Sequence, residues 1–198
     1  MELLPTLVKI THLPEKELMP VLNLFESIDV PAKTVLLVPG KVCSQVWFVG
    51  SGSLRAYYQL EERKRTNPGM SEEKITREVT NWLIPTGGLH TAMRSFSQQV
   101  PTFYYVETLE ASRLFTLSYP NYRLALRLHP EVVWKIFEYV IVMADLRLHI
   151  SNLRYPEDRL RVFELTYPGT ISQLPVHIQA SYLNIDPNTL SRLRAKRQ

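Results

Sequence analysis

The C-terminal stretch Leu174–Gln198, LPVHIQASYLNIDPNTLSRLRAKRQ, restricts the fold more than any other part of the chain. Pro175 suits the first position of a short helix, where its missing N–H would be unpaired anyway. Val176, Ala180 and Leu183 then recur on one face at helical spacing. Ala180 is small enough for two helices to cross closely there. Asn184 falls where the chain must turn, and asparagine is one of the few residues besides glycine that tolerates a positive φ. Ile185 plugs the turn. Asp186 is a favourable N-cap, Pro187 fits the first helical position behind it, and Leu190 and Leu193 continue the apolar face. The expectation is a helix-turn-helix.

Facing away from that core are Asn188, Thr189, Ser191, Arg192, Ala195 and Lys196, a small, polar and basic set. Such a face suits the DNA major groove, where Arg reads guanine edges, Asn reads adenine edges, and Ser or Thr serves bases or phosphates. A net charge of +4 over 198 residues does not by itself imply nucleic acid. Its placement does more: Arg192, Arg194, Lys196 and Arg197 crowd the last helix against Asp186 alone. The competing reading is an ordinary amphipathic helix with a solvated basic face. The joint presence of small residue, turn residue, turn plug, cap and two later leucines favours DNA binding.

Ahead of this unit the period is different. Pro14 to Ile28 reads as largely helical, kinked or split at Pro20. From Val30 the chain breaks into short runs rich in β-branched and aromatic residues and punctuated by glycine: Thr34–Val38, Gln45–Val49, Ser53–Leu60, Lys74–Ile84, Thr102–Glu107 and Ser112–Leu117. These read as an antiparallel sandwich or barrel. Glu61 to Glu73, charged and containing Asn67-Pro68-Gly69, reads as a solvated hairpin loop, and Leu89 to Gln99 as a turn with a short helix. Asn121 to Leu128 is helical, and Pro130 opens a long helix running to about Asn152. Along it Val133, Ile136, Val140, Met143, Arg147 and Ile150 alternate three and four apart, a heptad seam for a sister helix. A second stripe of Trp134, Phe137, Ile141 and Leu148 is expected to face the barrel. Tyr155-Pro156 then reads as a hinge, and Glu157 to Tyr167 as a further helix.

Apolar content of 45% and charge of 21% describe a globular chain. A single cysteine, Cys43, excludes a disulfide framework and a cluster held by four thiolates. The start, MELLPTLVKI, has no secretory pattern, and no run is long and apolar enough to span a membrane, so a cytoplasmic location is expected. No metal-ligand spacing, phosphate loop or nucleophile elbow occurs, and the five histidines are scattered, so the reading is not an enzyme. A haem sensor using His90 or Cys43 has no support in the pattern.

Barrel strands, long helix, proline hinge and C-terminal helix-turn-helix, in this order, resemble the catabolite-activator (Crp/Fnr) family of bacterial transcription regulators over nearly the whole chain. The landmarks are Pro39-Gly40, Gly52-Ser53-Leu54, Pro156-Glu-Asp-Arg-Leu160 and Pro187-Asn-Thr-Leu-Ser-Arg-Leu193. The resemblance implies an α+β chain in three parts. A cyclic-nucleotide-binding-like antiparallel β jelly roll spans residues 1–128, a dimerisation helix 129–155, and a helix-turn-helix 156–198. That last part is a winged-helix-like unit truncated at Gln198, before any wing. Implied partners are double-stranded DNA near-palindromic in sequence, a second copy of the chain, a small-molecule effector and RNA polymerase, with no resident cofactor. Asn188, Ser191 and Arg192 would contact bases, and Thr189, Arg194, Lys196 and Arg197 phosphates.

Two departures bear on the effector. Where the family's nucleotide sensors carry a Gly-Glu pair for the ribose, this chain reads Gly87-Gly88-Leu89; where they carry Arg-Ser or Arg-Thr for the cyclic phosphate, it reads Pro101-Thr102. A buried phosphate without its bidentate cation loses its strongest contact. The usual cyclic-AMP site is therefore not expected. Gly88, Leu89, His90, Thr91, Arg94 and Thr102 remain as a candidate pocket for another anion, against the alternative of a pocket filled by its own side chains. A ligand-binding module whose helix-turn-helix serves as a protein contact is the second functional reading.

Overall fold

A computed structural model describes residues 3–64, 73–169 and 174–196; Arg197, a predicted phosphate contact, lies outside the described residues. In chain order the elements are α1 (Leu3–Thr11), α2 (Glu15–Leu22), β1 (Glu26–Val30), β2 (Val35–Leu37), β3 (Gln45–Ser51), β4 (Ser53–Lys64), β5 (Glu73–Pro85), β6 (Leu89–His90), α3 (Met93–Gln98), β7 (Tyr105–Thr108), β8 (Ser112–Ser118), α4 (Tyr119–Leu128), α5 (Pro130–Asn152), α6 (Pro156–Thr166), α7 (Val176–Leu183) and α8 (Pro187–Ala195). The strands form two four-stranded antiparallel sheets, ordered β1-β8-β3-β6 and β2-β7-β4-β5. Alternate side chains of both sheets, among them Trp47, Val49, Leu54, Ala56, Val106 and Leu114, meet in one buried core. Gly52 turns β3 into β4 at φ +86, and a Cβ there would stand 2.2 Å from Ser112 Oγ, so the position requires glycine.

The N-terminal segment differs from the sequence expectation. Residues 26–30 are not helical but form strand β1, paired along β8 from Glu26↔Thr116 to Val30↔Ser112. Strand β1 is an edge with almost every side chain exposed, so it shows no apolar alternation; backbone pairing to β8 holds it, with the Asp29–Arg113 ion pair at 2.8 Å and Val30 packed on the core. Helix α1 precedes the expected start of structure and buries Leu3 and Leu7 beside Leu18 and Val21 of α2. Glu61–Lys64 and Glu73 are likewise strand, not loop: β4 and β5 stay in register out to Lys64↔Glu73. Residues 65–72 lie outside the described residues. β7 accompanies β4 only from Leu54 to Tyr57, so the outer part is a two-stranded ribbon with exposed cross-strand charge pairs such as Arg77–Glu62 at 2.9 Å. Its ladder needs no apolar residues, which is why composition misread it.

Helix α5 has the expected bounds, but the expected seam stripe is turned inward, and of the second stripe only Phe137 lines the cavity beside the sheet. Val133 (7% exposed) and Ile136 pack with α1, α2 and Phe48, and Ile150 (0% exposed) is buried among α6, α7 and α8. The predicted dimer seam, Val133, Ile136, Val140, Met143, Arg147 and Ile150, is thus turned toward the chain's own body. Of the stripe predicted to meet the barrel, Trp134 (57%), Ile141 (50%) and Leu148 (58%) are exposed. Both stripes have helical periodicity, and periodicity does not say which one a sheet will cover.

His90 in β6 is buried at a tilt against Trp82, ring centroids 6.1 Å apart, and its Nε2 has no hydrogen-bond partner among the described residues. Burial lowers its pKa from 6.5 to about 4. The unfolded chain therefore binds a proton that the folded chain refuses as pH falls below 6.5. His90 is neutral and harmless to stability above that pH, and stability is lost between 6.5 and 4. His90→Leu should flatten the fall in urea-unfolding free energy between pH 7 and pH 5 by about 2 kcal/mol. Parallel pH profiles for wild type and variant would refute this.

Candidate functional site

Helices α7 and α8 meet through Asn184, which adopts φ 53, ψ 50, the left-handed conformation its position demands. The Ile185 N–H donates to Ala180 O at 3.0 Å, closing the turn. The Asp186 carboxylate accepts from the N–H groups of Asn188 and Thr189 at 2.8 and 3.4 Å, capping α8. Ala180, Leu183, Leu190 and Leu193 are buried with Phe163 and Tyr182. The start of α7 is shifted from expectation. Pro175 is its N-cap rather than its first residue, and Val176 is exposed, while Ile178, Gln179 and Tyr182 point inward.

On α8, Asn188, Ser191, Arg192, Ala195 and Lys196 are exposed on one side and Thr189 is half-buried, its hydroxyl accepting from Arg192 Nη2 at 3.2 Å. Ser191 Oγ donates back to Pro187 O at 3.0 Å. Arg194 is different: it is half-buried and its Nη2 donates to Gln179 Oε1 on α7. Its predicted role at phosphate therefore competes with a contact that ties the two helices together.

Sequence reasoning missed three positioning residues. Arg159 on α6 donates to Leu153 O at 2.7 Å and, through Nη1, to Leu183 O and Asn184 O at 3.2 and 2.9 Å. It thereby fastens the end of α5 to the carbonyl end of α7. The landmark Pro156-Glu-Asp-Arg-Leu160 was its one trace in the sequence. Ser181 Oγ accepts from Thr80 N at 2.9 Å and donates to Glu78 O at 3.1 Å. Arg147 Nε donates to Asn81 O at 2.8 Å, with its guanidinium 4.0 Å from the Tyr182 ring centroid.

The six residues of the candidate anion pocket do not assemble. Arg94 is exposed on α3 with Nε 3.4 Å from Gln98 Oε1. Thr102 is buried and accepts from Tyr104 N at 3.1 Å. Thr91 donates to Gln45 O at 2.9 Å beside an apolar cavity of about 50 Å³ between α3, α5 and the sheets. His90 is buried against Trp82. Gly88 and Leu89 alone of the six border a larger cleft outside the sheets. Between the sheets Trp47, Val49, Leu54, Ala56, Val106 and Leu114 pack against one another. A Cβ at Gly88 would stand 2.7 Å from Ile84 Cγ2 and 2.9 Å from Pro85 O, so this turn has no room for a side chain at all. Gly88→Glu, which restores the acid of the nucleotide sensors, should lower stability by about 1–3 kcal/mol in urea unfolding. It should give no heat with cyclic AMP in calorimetry. A stable variant that binds the nucleotide would overturn this geometry.

No described helix is long and apolar enough to cross a membrane, and no group of three or more His, Cys, Asp or Glu among the described residues is arranged to hold a metal. No family model and no curated protein matches the chain. Solved structures do. The catabolite activator protein of Thermus thermophilus is 22% identical with a TM-score of 0.51, over 96% of this chain and 85% of that one. The c-di-GMP-responsive global regulator CLP of Xanthomonas campestris is 13% identical with a TM-score of 0.61, over 92% and 91%. FixK2 of Bradyrhizobium japonicum is 11% identical with a TM-score of 0.64, over 87% and 83%. With its antiparallel sheets, long α5 and C-terminal helices laid out as in these proteins, the chain has the fold of the Crp/Fnr regulators.

Proposed function

We propose that the chain is a DNA-binding transcription regulator, acting as a homodimer on a near-palindromic operator and not as a standard cyclic-AMP sensor. In this reading the two sheets are a jelly-roll sensor domain (1–128), α5 lies in the dimerisation segment (129–155), and α7 and α8 are the helix-turn-helix of a DNA-binding domain (156–198). The observation that carries it is the exposed face of α8, Asn188, Ser191, Arg192 and Lys196, held outward by the Asp186 cap and the left-handed Asn184. Asn188, Ser191 and Arg192 reach base edges from the major groove. Thr189 and Lys196 take phosphates, joined by Arg194 when it leaves Gln179. The fold shared with solved regulators supports the same reading.

The dimer forms along the exposed stripe of α5. Trp134, Ile141 and Leu148 are seven residues apart, each half exposed or more, with Val142 beside them. Two copies joined there would set their α8 helices about one DNA turn apart, roughly 34 Å.

Selection of bound sequences from a random duplex pool, followed by anisotropy on the enriched site, tests the DNA contact. Arg192→Ala should cost about 1–3 kcal/mol on that site, and Lys196→Ala should reduce the slope of log affinity against log salt by about 1. A pool without enrichment, or a salt-insensitive complex, would sink the reading. For the dimer, Ile141→Asp should give a monomer in analytical ultracentrifugation, whereas Val142→Asp at the margin of the stripe should weaken the dimer less. A dimer unchanged by Ile141→Asp would place the interface elsewhere.

A further inference from the structure

The six positions of the candidate anion pocket do not assemble, yet the chain keeps a cleft of about 580 Å³ just outside the sheets, bounded by α1, the turn after β5, α5 and the end of α6. That volume lies in the range of small-ligand sites. Its walls carry three ring systems, Trp82, Tyr139 and Tyr167. Its lining also includes the backbone of Gly87 and Gly88 in the turn after β5. Among the described lining residues Lys9 alone is charged at neutral pH, and it lies exposed on α1 at the rim. No carboxylate is among the described lining residues to neutralise it.

We infer that this junction cleft, and not the space between the sheets, is a binding site for a small planar aromatic molecule carrying one anionic group, its ring laid among Trp82, Tyr139 and Tyr167 over the Gly87–Gly88 backbone and its anion held by Lys9. Rings of this kind gain most when another flat ring is offset against them. A lone rim lysine selects an anion by charge without imposing the bidentate geometry an arginine would. The site also has a route to the proposed DNA-binding unit. Tyr167 is the C-cap of α6, and its hydroxyl lies 3.4 Å from that of Tyr182 on α7. A molecule seated against Tyr167 acts on the position of α7 only as far as it prefers one arrangement of that contact. This effector role rests on the DNA-binding reading; the site does not.

The test uses the full-length chain and two dyes with the same rings, 1-anilinonaphthalene-8-sulfonate, which is anionic, and N-phenyl-1-naphthylamine, which is neutral. The expected result is one anionic dye per chain by fluorescence titration, bound more tightly than the neutral one. Lys9→Gln should weaken the anionic dye roughly fivefold and leave the neutral dye unchanged. Met143→Trp, which fills the cleft, should abolish both, with circular dichroism checking the fold; should that variant not fold, Lys9→Gln still decides. Trp134→Ala should change neither. Wild-type binding of the anionic dye by Lys9→Gln, or loss of signal in Trp134→Ala, overturns the site. Dye binding that leaves duplex affinity unchanged overturns the effector role. A chain that binds the dye as expected and binds no duplex overturns the DNA-binding reading and leaves the site standing.

Discussion

Strand β5 lies at the edge of its sheet, and the backbone groups it turns outward need partners that no further strand supplies. Helix α7 provides them through one hydroxyl. Ser181 Oγ accepts from the N–H of Thr80 and donates to the carbonyl of Glu78, doing for two positions what a neighbouring strand would do. Next to them the ladder slips: Ala56 faces Trp82 while Tyr57 faces Thr80, leaving Asn81 as the extra residue of a bulge. Its carbonyl is taken by Arg147 of α5. An unmade bond at a buried backbone group costs about 1–3 kcal/mol, against roughly 1 kcal/mol net for each bond made. Because Glu78 is exposed, water would replace Ser181 on separation, so each of these bonds adds only about 1 kcal/mol net to the docking of α7 on β5.

Arg147 shows how the junction tolerates a charge. Burial lowers its pKa, yet an arginine stays charged in a protein, and no carboxylate pairs with it among the described residues. The charge rests on the Tyr182 ring face, an attraction worth about 0.5–2 kcal/mol. On the sheet side, Glu78 offers its carbonyl to Ser181 and its carboxylate to Arg55, which also bridges to Glu107 at 2.6 Å and lies over the Tyr57 ring. Removing one member of such a half-buried cluster leaves a charge without its partner. Arg159 completes the frame from the other side by holding the carbonyls of Leu153, Leu183 and Asn184 together.

How much of this could be read from residues alone follows the range of the forces. The turn between α7 and α8, the cap at Asp186 and the start of α5 at Pro130 depend on neighbours a few residues away, and the sequence placed each of them. The facing of α5 depends on which of two equally periodic stripes the sheets cover. That choice is tertiary: Val133 and Ile150 are turned inward, while of the other stripe Phe137 lines the cavity beside the sheet and Trp134, Ile141 and Leu148 stay exposed. Arg147 falls at a seam position in sequence because its ring partner, Tyr182, is 35 positions away and invisible to local periodicity. Strand β1 and the outer ribbon of β4 and β5 are polar and exposed, so only hydrogen bonding to a distant strand identifies them. The candidate anion pocket failed for a related reason. Its residues were gathered by analogy of position, and in the fold Arg94 is exposed on α3 while His90 and Thr102 are buried in separate surroundings.

Helix α5 then carries two duties on opposite faces. Its inner face is committed at one end to α1, α2 and Phe48 through Val133, and at the other to α6, α7 and α8 through Ile150. Its outer stripe runs from Trp134 to Leu148, fourteen residues and about 21 Å of helix, and is free to meet a second copy. In the proposed dimer one rigid rod would therefore define both the separation of the two α8 helices and, through Arg147 and Ile150, how each is aimed. A change that moved α7 relative to α5 would alter the aim without altering the separation. The cleft is bordered by Tyr139 and Met143 on α5 and by Tyr167 at the end of α6, whose hydroxyl lies 3.4 Å from that of Tyr182 on α7. In the proposed dimer, a ligand that favoured one position of Tyr167 would act on α7 through that hydroxyl contact and so on how each α8 meets the duplex.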